Sequence, residues 1–150
     1  MSKKVFLGGT CAGSKWRDKL IPMLEIDYFN PVVDDWNEEA YQRELKEREE
    51  CDFCLYVITP RMEGVYSIAE VIDDSNKRPE KTLFCVLNKD ESLSSSLLNL
   101  STPPTLTSFS YGEKKSLDRV GEMVKRNGGK VFDSLTQVAK YLNYQKYDTI

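Results

Sequence analysis

CDFCLYVITPRMEGVYSIAEVIDDS, residues 51–75, decides the fold. It opens with an apolar run, Phe53 to Ile58, rich in aromatic and β-branched residues and far too short to cross a membrane. Thr59-Pro60 breaks the run, Glu63-Gly64 makes a turn, and Val65, Ile68, Ala69, Val71 and Ile72 then recur at helical spacing. The stretch predicts a buried strand, a turn at its carboxyl end, and a helix that starts over the strand tip. Glu70 sits among the apolar residues of that helix. It is either a solvated helix residue or a catalytic carboxylate at the mouth of an α/β sheet.

The same grammar repeats on both sides. Lys4 to Leu7 reads as a first strand that ends in Gly8-Gly9-Thr10, and Lys15 to Leu24 as a helix with Trp16, Leu20, Met23 and Leu24 turned inward. Tyr28 to Val33 is a short second strand in which Pro31 marks an end or an edge, followed by Asp34-Asp35-Trp36. Glu38 to Glu50 is a strongly charged helix. Beyond the central stretch, Lys81 to Leu87 is a fourth strand. Ser116 to Arg126 is a helix stopped by Asn127-Gly128-Gly129, Lys130 to Phe132 is a last strand, and Ser134 caps a helix through Leu142. Between them, Asn88 to Lys115 is serine-rich, carries Pro103-Pro104, and is long enough to act as a lid, a partner contact or a flexible segment. Its Leu97, Leu98 and Leu100 form an apolar patch that something should cover, while residues 145–150 are expected to fray. Strands alternating with helices argue for an α/β sandwich with a mostly parallel sheet, organised as one domain over 1–150.

Composition narrows the function. The chain has 150 residues and a formal net charge of −3, with no basic block. A long nucleic-acid footprint is therefore not expected, because phosphate contacts need clustered Lys and Arg, whereas a free nucleoside or nucleotide needs no such surface. MSKKVFLGG holds too little apolar length for a signal peptide, and no run approaches a membrane span, so a cytoplasmic protein without membrane association is expected. The chain contains no histidine, which removes Ser-His, Cys-His and imidazole acid/base mechanisms together. Cys51 and Cys54 form a CxxC that invites a redox or zinc reading. The pair lies at a helix end and inside the following strand, with side chains expected to point different ways, and no second CxxC or histidine completes a zinc site. Both are read as small buried hydrophobes, and neither a metal nor a cofactor is expected.

Three polar clusters fall at the carboxyl ends of predicted strands, where open α/β sheets bind ligands: Gly8 to Lys15, Asp34 to Trp36, and Thr59 to Glu70. Gly8 to Lys15, GGTCAGSK, nearly spells a P-loop, but Ser14 precedes Lys15 and the order fails for ATP or GTP chemistry. What survives is either a glycine turn whose amides approach an anion or sugar, with Thr10, Ser14 and Arg17 adding contacts, or a tight turn alone. Asp34 and Asp35 are open between turn residues and site residues. Glu44, Glu47, Glu49 and Glu50 lie in a charged helix and read mostly as solvated surface. Tyr66 and Glu70, spaced i,i+4, share a helix face, so the phenol could hold the carboxylate by hydrogen bonding.

The strand-Thr-Pro-x-x-x-Gly-x-Tyr-Ser-Ile-Ala-Glu run, the GGT after the first strand and the Asp-Asp-Trp resemble the nucleoside 2-deoxyribosyltransferase-like family. The resemblance extends over most of the chain, including the late helix-Gly-Gly-strand-helix ending. It implies a flavodoxin/Rossmann-like three-layer sandwich with a mostly parallel five-stranded sheet. It also implies cleavage of the N-glycosidic bond of a deoxynucleoside or nucleotide, with the sugar passed to another base or to water. By its place after Gly64, Glu70 matches the family's glutamate nucleophile, and Glu63 is the candidate general acid. Asp34, Asp35 and Trp36 match the loop that binds the base, Glu44 falls near a further acidic position, and Gly8, Gly9, Thr10, Thr59 and Gly64 complete the substrate-binding set. The family's orienting tyrosine near the end of the first strand is Phe6 here, leaving Tyr66 as a substitute, and Val71 stands where glycine usually follows the glutamate. Family habit and the leucine patch both imply a homo-oligomer. Two other readings stay open: a catalytically silent module that binds a nucleotide or NAD derivative, and a regulatory protein whose serine-rich loop is a partner surface. Ser14, Lys15 or Arg17 contacting phosphate would favour nucleotides over nucleosides.

Overall fold

The computed structural model describes residues 2–91 and 107–146. Seven strands and five helices alternate through them: β1 (Lys4–Gly9), α1 (Trp16–Leu20), β2 (Asp27–Phe29), α2 (Glu38–Glu50), β3 (Phe53–Ile58), α3 (Tyr66–Lys77), β4 (Thr82–Val86), β5 (Lys89–Asp90), β6 (Thr107–Ser108), α4 (Tyr111–Asn127), β7 (Lys130–Phe132) and α5 (Leu135–Tyr144). Five strands form one sheet in the order β2-β1-β3-β4-β7, and every pair in it is parallel. This is the flavodoxin-like order, in which the chain first winds outward from β1 to β2 and then crosses to β3. The fold is α/β, as the alternation of elements predicts.

β3 is the centre of the sheet, and all six of its residues are buried. Its two faces feed two cores because strand side chains alternate. Phe53, Leu55 and Val57 pack with Trp16, Leu20, Val138 and Leu142 under α1 and α5. Cys54, Tyr56 and Ile58 pack with Val71, Leu117 and Val124 under α3 and α4. Each fully buried apolar side chain contributes about 1.5–3 kcal/mol, so a strand buried on both faces anchors both helical layers.

The helix ends follow local chemistry. Asn37 accepts from the Ala40 amide at the start of α2, Ser134 accepts from Gln137 at the start of α5, and Ser110 with Glu113 closes a capping box on α4. Gly128 ends α4 in the left-handed conformation, at φ 108°.

Several expected boundaries move. The second strand is Asp27–Phe29 rather than 28–33, because Pro31 cannot donate to the ladder and the chain leaves the sheet before it. The first helix ends at Leu20 and tightens into a 3-10 turn over Ile21–Met23 around Pro22, which leaves Met23 exposed rather than inward. α4 starts at Tyr111, five residues earlier than expected, where its capping box sits. The connection before it is not wholly structureless, since β5 and β6 pair as a small antiparallel ladder. Residues 92–106, with the Leu97, Leu98 and Leu100 patch, and residues 147–150 of the tail lie outside the described residues. Cys51 and Cys54 are free and buried, but in one and the same core instead of pointing different ways. Among the described residues no helix is long and apolar enough to cross a membrane.

Gly9 is the most closely approached glycine among the described residues. It has φ +121°, and a Cβ there would lie 2.0 Å from the Val57 carbonyl oxygen. Gly64 has nothing within 4 Å of the same position. Gly9→Ala is expected to destabilise the chain by about 2 kcal/mol or more in urea unfolding, and Gly64→Ala by well under about 1 kcal/mol. Equal midpoints for the two variants would contradict this account of the β1–β3 junction.

Candidate functional site

A cleft of about 440 Å³ opens at the carboxyl ends of β1, β2 and β3, the switch point of the sheet order. Its floor is the end of β1 (Phe6, Gly8, Gly9, Thr10), one wall is the segment after β2 (Pro31, Val32, Val33, Trp36), and another is the turn after β3 with the start of α3. Met62, Glu63, Gly64, Tyr66, Ser67 and Glu70 line that second wall, and Glu44 of α2 and Arg17 of α1 close the rest.

The floor is built by backbone proximity. The Thr10 amide donates to the Val57 carbonyl at 2.8 Å, and the Thr59 amide donates to Thr10 Oγ1 at 2.9 Å. Thr59 is therefore buried beneath the cleft and supports its floor; it does not line it. Arg17 spans the back of the β1 turn, with Nε on the Leu7 carbonyl at 3.0 Å, Nη1 on Thr10 at 2.8 Å and Nη2 on Gly9 at 3.3 Å. Three carbonyls thus take its donors, and burial, the largest influence, pushes its pKa down. Ser14 turns away from the cleft and donates to Asp90 Oδ2 at 2.6 Å, the same oxygen that accepts from Thr59 Oγ1 at 2.6 Å. Lys15 is exposed and also lies outside the cleft lining.

Glu70 projects from the second turn of α3 and is 8% exposed. A buried carboxylate needs a compensating partner. Its partner is Arg48 of α2, whose Nη1 lies 3.5 Å from Glu70 Oε2. The same guanidinium reaches Asp73 at 3.1 Å and Asp74 at 2.9 Å. Asp74, fully buried, also accepts from Arg78 at 2.7 and 3.0 Å and from the Tyr56 hydroxyl. Burial drives the Glu70 carboxyl up from 4.5 to about 7; Arg48 opposes the rise, while Glu44, Asp74 and Asp73 add to it. Arg48 keeps its charge: burial is the largest influence and works against it, but its hydrogen bonds to Asp74 together with the charges of Tyr56, Asp74 and Glu70 outweigh it and raise its pKa.

The remaining acids differ in setting. Glu44 is half-buried and accepts a hydrogen bond from Trp36 Nε1 at 3.2 Å. Burial raises its pKa more than the Trp36 bond and Arg48 lower it. Glu63 stands exposed on the rim. The apolar side chains Val32, Val33, Trp36 and Tyr66 are also exposed around the mouth.

Of the residues expected at the site, Gly8, Gly9, Thr10, Trp36, Glu44, Glu63, Gly64, Tyr66 and Glu70 converge on this one cleft. Asp34 and Asp35 are exposed outside it. Tyr66 does not hold Glu70 as the i,i+4 spacing suggested; its hydroxyl meets that of Tyr41 at 3.4 Å, and this contact, first among its influences, raises the phenol to about 12. Phe6 supplies no polar atom and stacks on Phe29 at 5.9 Å. Arg48, Tyr56 and Asp74 were missed. The available signal was a stripe in a charged helix: Tyr41, Glu44, Arg48 and Cys51 recur at i, i+3, i+7 and i+10, one face of α2. Cys51 and Cys54 are chemically quiet, since burial pushes both thiols to about 12. Among the described residues no group of three or more His, Cys, Asp or Glu is placed to hold a metal.

A protein-family model described as nucleoside 2-deoxyribosyltransferase like matches residues 2–89, more than half of the chain. Every residue lining the cleft, from Phe6 to Glu70, falls inside the match. No curated protein matches the chain.

The raised Glu70 carboxyl has a consequence for stability. Between about pH 4.5 and 7 the folded chain keeps a proton here that the unfolded chain has lost, so this residue's contribution falls as pH rises through that window. Glu70→Gln removes the dependence. Its stability relative to wild type is expected to be about 2 kcal/mol greater at pH 8 than at pH 5. A difference independent of pH, measured by urea unfolding at both values, would show that Glu70 titrates normally.

Proposed function

The chain belongs to the nucleoside 2-deoxyribosyltransferase-like family, and on that footing we propose that it cleaves the N-glycosidic bond of a deoxynucleoside, with Glu70 as nucleophile. The observation that carries the proposal is a carboxylate buried in the wall of a cleft at the sheet's switch point, paired with a guanidinium from the opposite helix. Such a group is desolvated enough to be reactive and oriented enough to meet one face of a sugar.

The chemistry runs in two steps. As the bond from C1′ to the base nitrogen breaks, the bonding pair leaves with the base and positive charge develops on the sugar. A Glu70 oxygen forms a bond to C1′, giving a glycosyl ester, while an acid delivers a proton to the departing base. Glu63 on the rim is the proposed acid, and Glu44, whose burial favours its protonated form, is the second acidic group within the same cleft. An acceptor base or water then attacks C1′, its proton passes to the acid's conjugate carboxylate, and Glu70 leaves as the carboxylate. Trp36 and Tyr66 at the mouth offer aromatic surface to a flat base. Gly8, Gly9, Thr10 and Gly64 allow close approach of the sugar, whereas Asp34, Asp35 and Thr59 act from outside the lining.

Charge bears on the substrate. Glu44, Glu63 and Glu70 face the cleft, Arg17 is engaged by three carbonyls, and Ser14 by Asp90. This arrangement favours uncharged nucleosides over their 5′-monophosphates.

The test is free-base release from a panel of 2′-deoxynucleosides and 5′-monophosphates, with intact-mass measurement of the protein. Wild type should release base and Glu70→Ala should lose at least about a thousandfold, with a deoxyribosyl adduct on wild type only. Because Glu70 must be ionised to attack, kcat/KM should fall tenfold per pH unit below about 7. Nucleosides should exceed monophosphates by about tenfold or more. Release that persists without acceptor base and without an adduct would identify a hydrolase. Binding without release from any substrate would leave a silent binding module.

A further inference from the structure

Arg48 is a cation in the middle of an acidic cluster, and its position is over-determined. Its side chain is 4% exposed, and it is shared among three carboxylates of α3. Asp74 receives Nε at 3.3 Å and Nη2 at 2.9 Å, Asp73 receives Nη2 at 3.1 Å, and Glu70 Oε2 lies 3.5 Å from Nη1. Asp74 is itself immobilised by Arg78 and by the Tyr56 hydroxyl, neither of which lines the cleft. The guanidinium is thus pinned along one edge by Asp74, and only its Nη1 end points to Glu70. A planar fork with one edge fixed has little freedom to follow a moving carboxylate. It sets where Glu70 sits.

We infer that Arg48, held by the buried Tyr56–Asp74–Arg78 group, is the positioning residue for Glu70, fixing both its orientation and its charge in the cleft. The inference rests on the reading of Glu70 as nucleophile. The groups around Glu70 are Glu44 and Arg48 from α2, Tyr66, Asp73 and Asp74 from α3 and Tyr56 from β3, while Glu63 from the turn before α3 and Arg17 from α1 line the same cleft. Arg48 is the cation that reaches Glu70, at 3.5 Å, whereas Arg17 is engaged by three carbonyls of the β1 turn, so removing Arg48 leaves Glu70 beside acids and phenols. A carboxylate in that company takes up a proton, and the nucleophile is lost at neutral pH. Arg48 does not touch the substrate in this scheme, as it is absent from the cleft lining.

The discriminating variants are Arg48→Lys and Arg48→Gln. The lysine keeps the charge but is a single point, which the nearer Asp74 will hold, leaving Glu70 less well paired. Two readouts are taken on the full chain. The first is the titration midpoint of the Glu70 carboxyl, followed by NMR with carboxyl-labelled glutamate and assigned with Glu70→Gln. It should rise from wild type to Arg48→Lys by at least half a pH unit, and further in Arg48→Gln. The second is kinetics on the best nucleoside: kcat should fall tenfold or more in Arg48→Lys with KM within threefold, and the acid limb of the pH profile should move up with the midpoint. Should Arg48→Gln fail to fold, Arg48→Lys alone decides. An unchanged midpoint in Arg48→Lys overturns the inference. A shifted midpoint in a protein that releases no base from any substrate upholds the control of Glu70 by Arg48 and removes the catalytic reading instead.

Discussion

One guanidinium reconciles the core of this protein with its cleft. Three acids of α3, Glu70, Asp73 and Asp74, occur within five residues, and two of them are buried. Their packing beside a hydrophobic sheet is tolerable because Arg48 enters from α2 and meets all three at 2.9–3.5 Å, with Arg78 adding a second cation on Asp74 and Lys77 one on Asp73. The contact also fixes the spacing of α2 and α3, which form opposite sides of the cleft. Fold and site therefore share a joint. A defect in the Arg48 cluster would loosen the wall of the cleft as well as its charge.

The apolar half of the structure was readable from the chain, and the polar half was less so. Phe53 to Ile58 announced a strand buried on both faces, because such strands are continuous apolar runs, and the glycines at 8, 9 and 64 marked where backbone must turn at strand tips. That Glu63, Tyr66 and Glu70 share one cleft followed from the rule that parallel sheets gather ligand groups at their carboxyl edge, whereas Glu44 read as solvated surface and entered only through the family resemblance. Arg48 was hidden by its neighbours. In EEAYQRELKEREE a lysine or arginine reads as solvated, and burial of one member depends on an acid 26 residues away, beyond the reach of any local pattern. Tyr56 looked like one more aromatic of a core strand; its hydroxyl has meaning only once Asp74 is known to lie beside it.

The turn after β1 shows the converse, a motif whose letters promised more than its geometry delivers. GGTCAGSK holds a serine, a lysine and a nearby arginine at the place where phosphate sites are often found, yet each is directed elsewhere. Ser14 is tied to Asp90, a carboxylate that would repel a phosphate, and Arg17 is spent on stitching the turn to β1. Two β-branched or hydroxyl residues, Thr10 and Thr59, close the same turn onto β3. The turn is a structural clasp that presents backbone to the cleft.

The sheet's outermost strands carry a last implication. β2 and β7 are three residues each, and they flank strands of five and six. Strands so short offer few open amides and carbonyls for another chain to extend. The sheet is therefore closed to growth by strand addition in practice, though both edges are formally open. Among the described residues, the borders of this sheet leave contact between copies to side chains and helical surfaces, and their brevity limits mispairing of the sheet during folding.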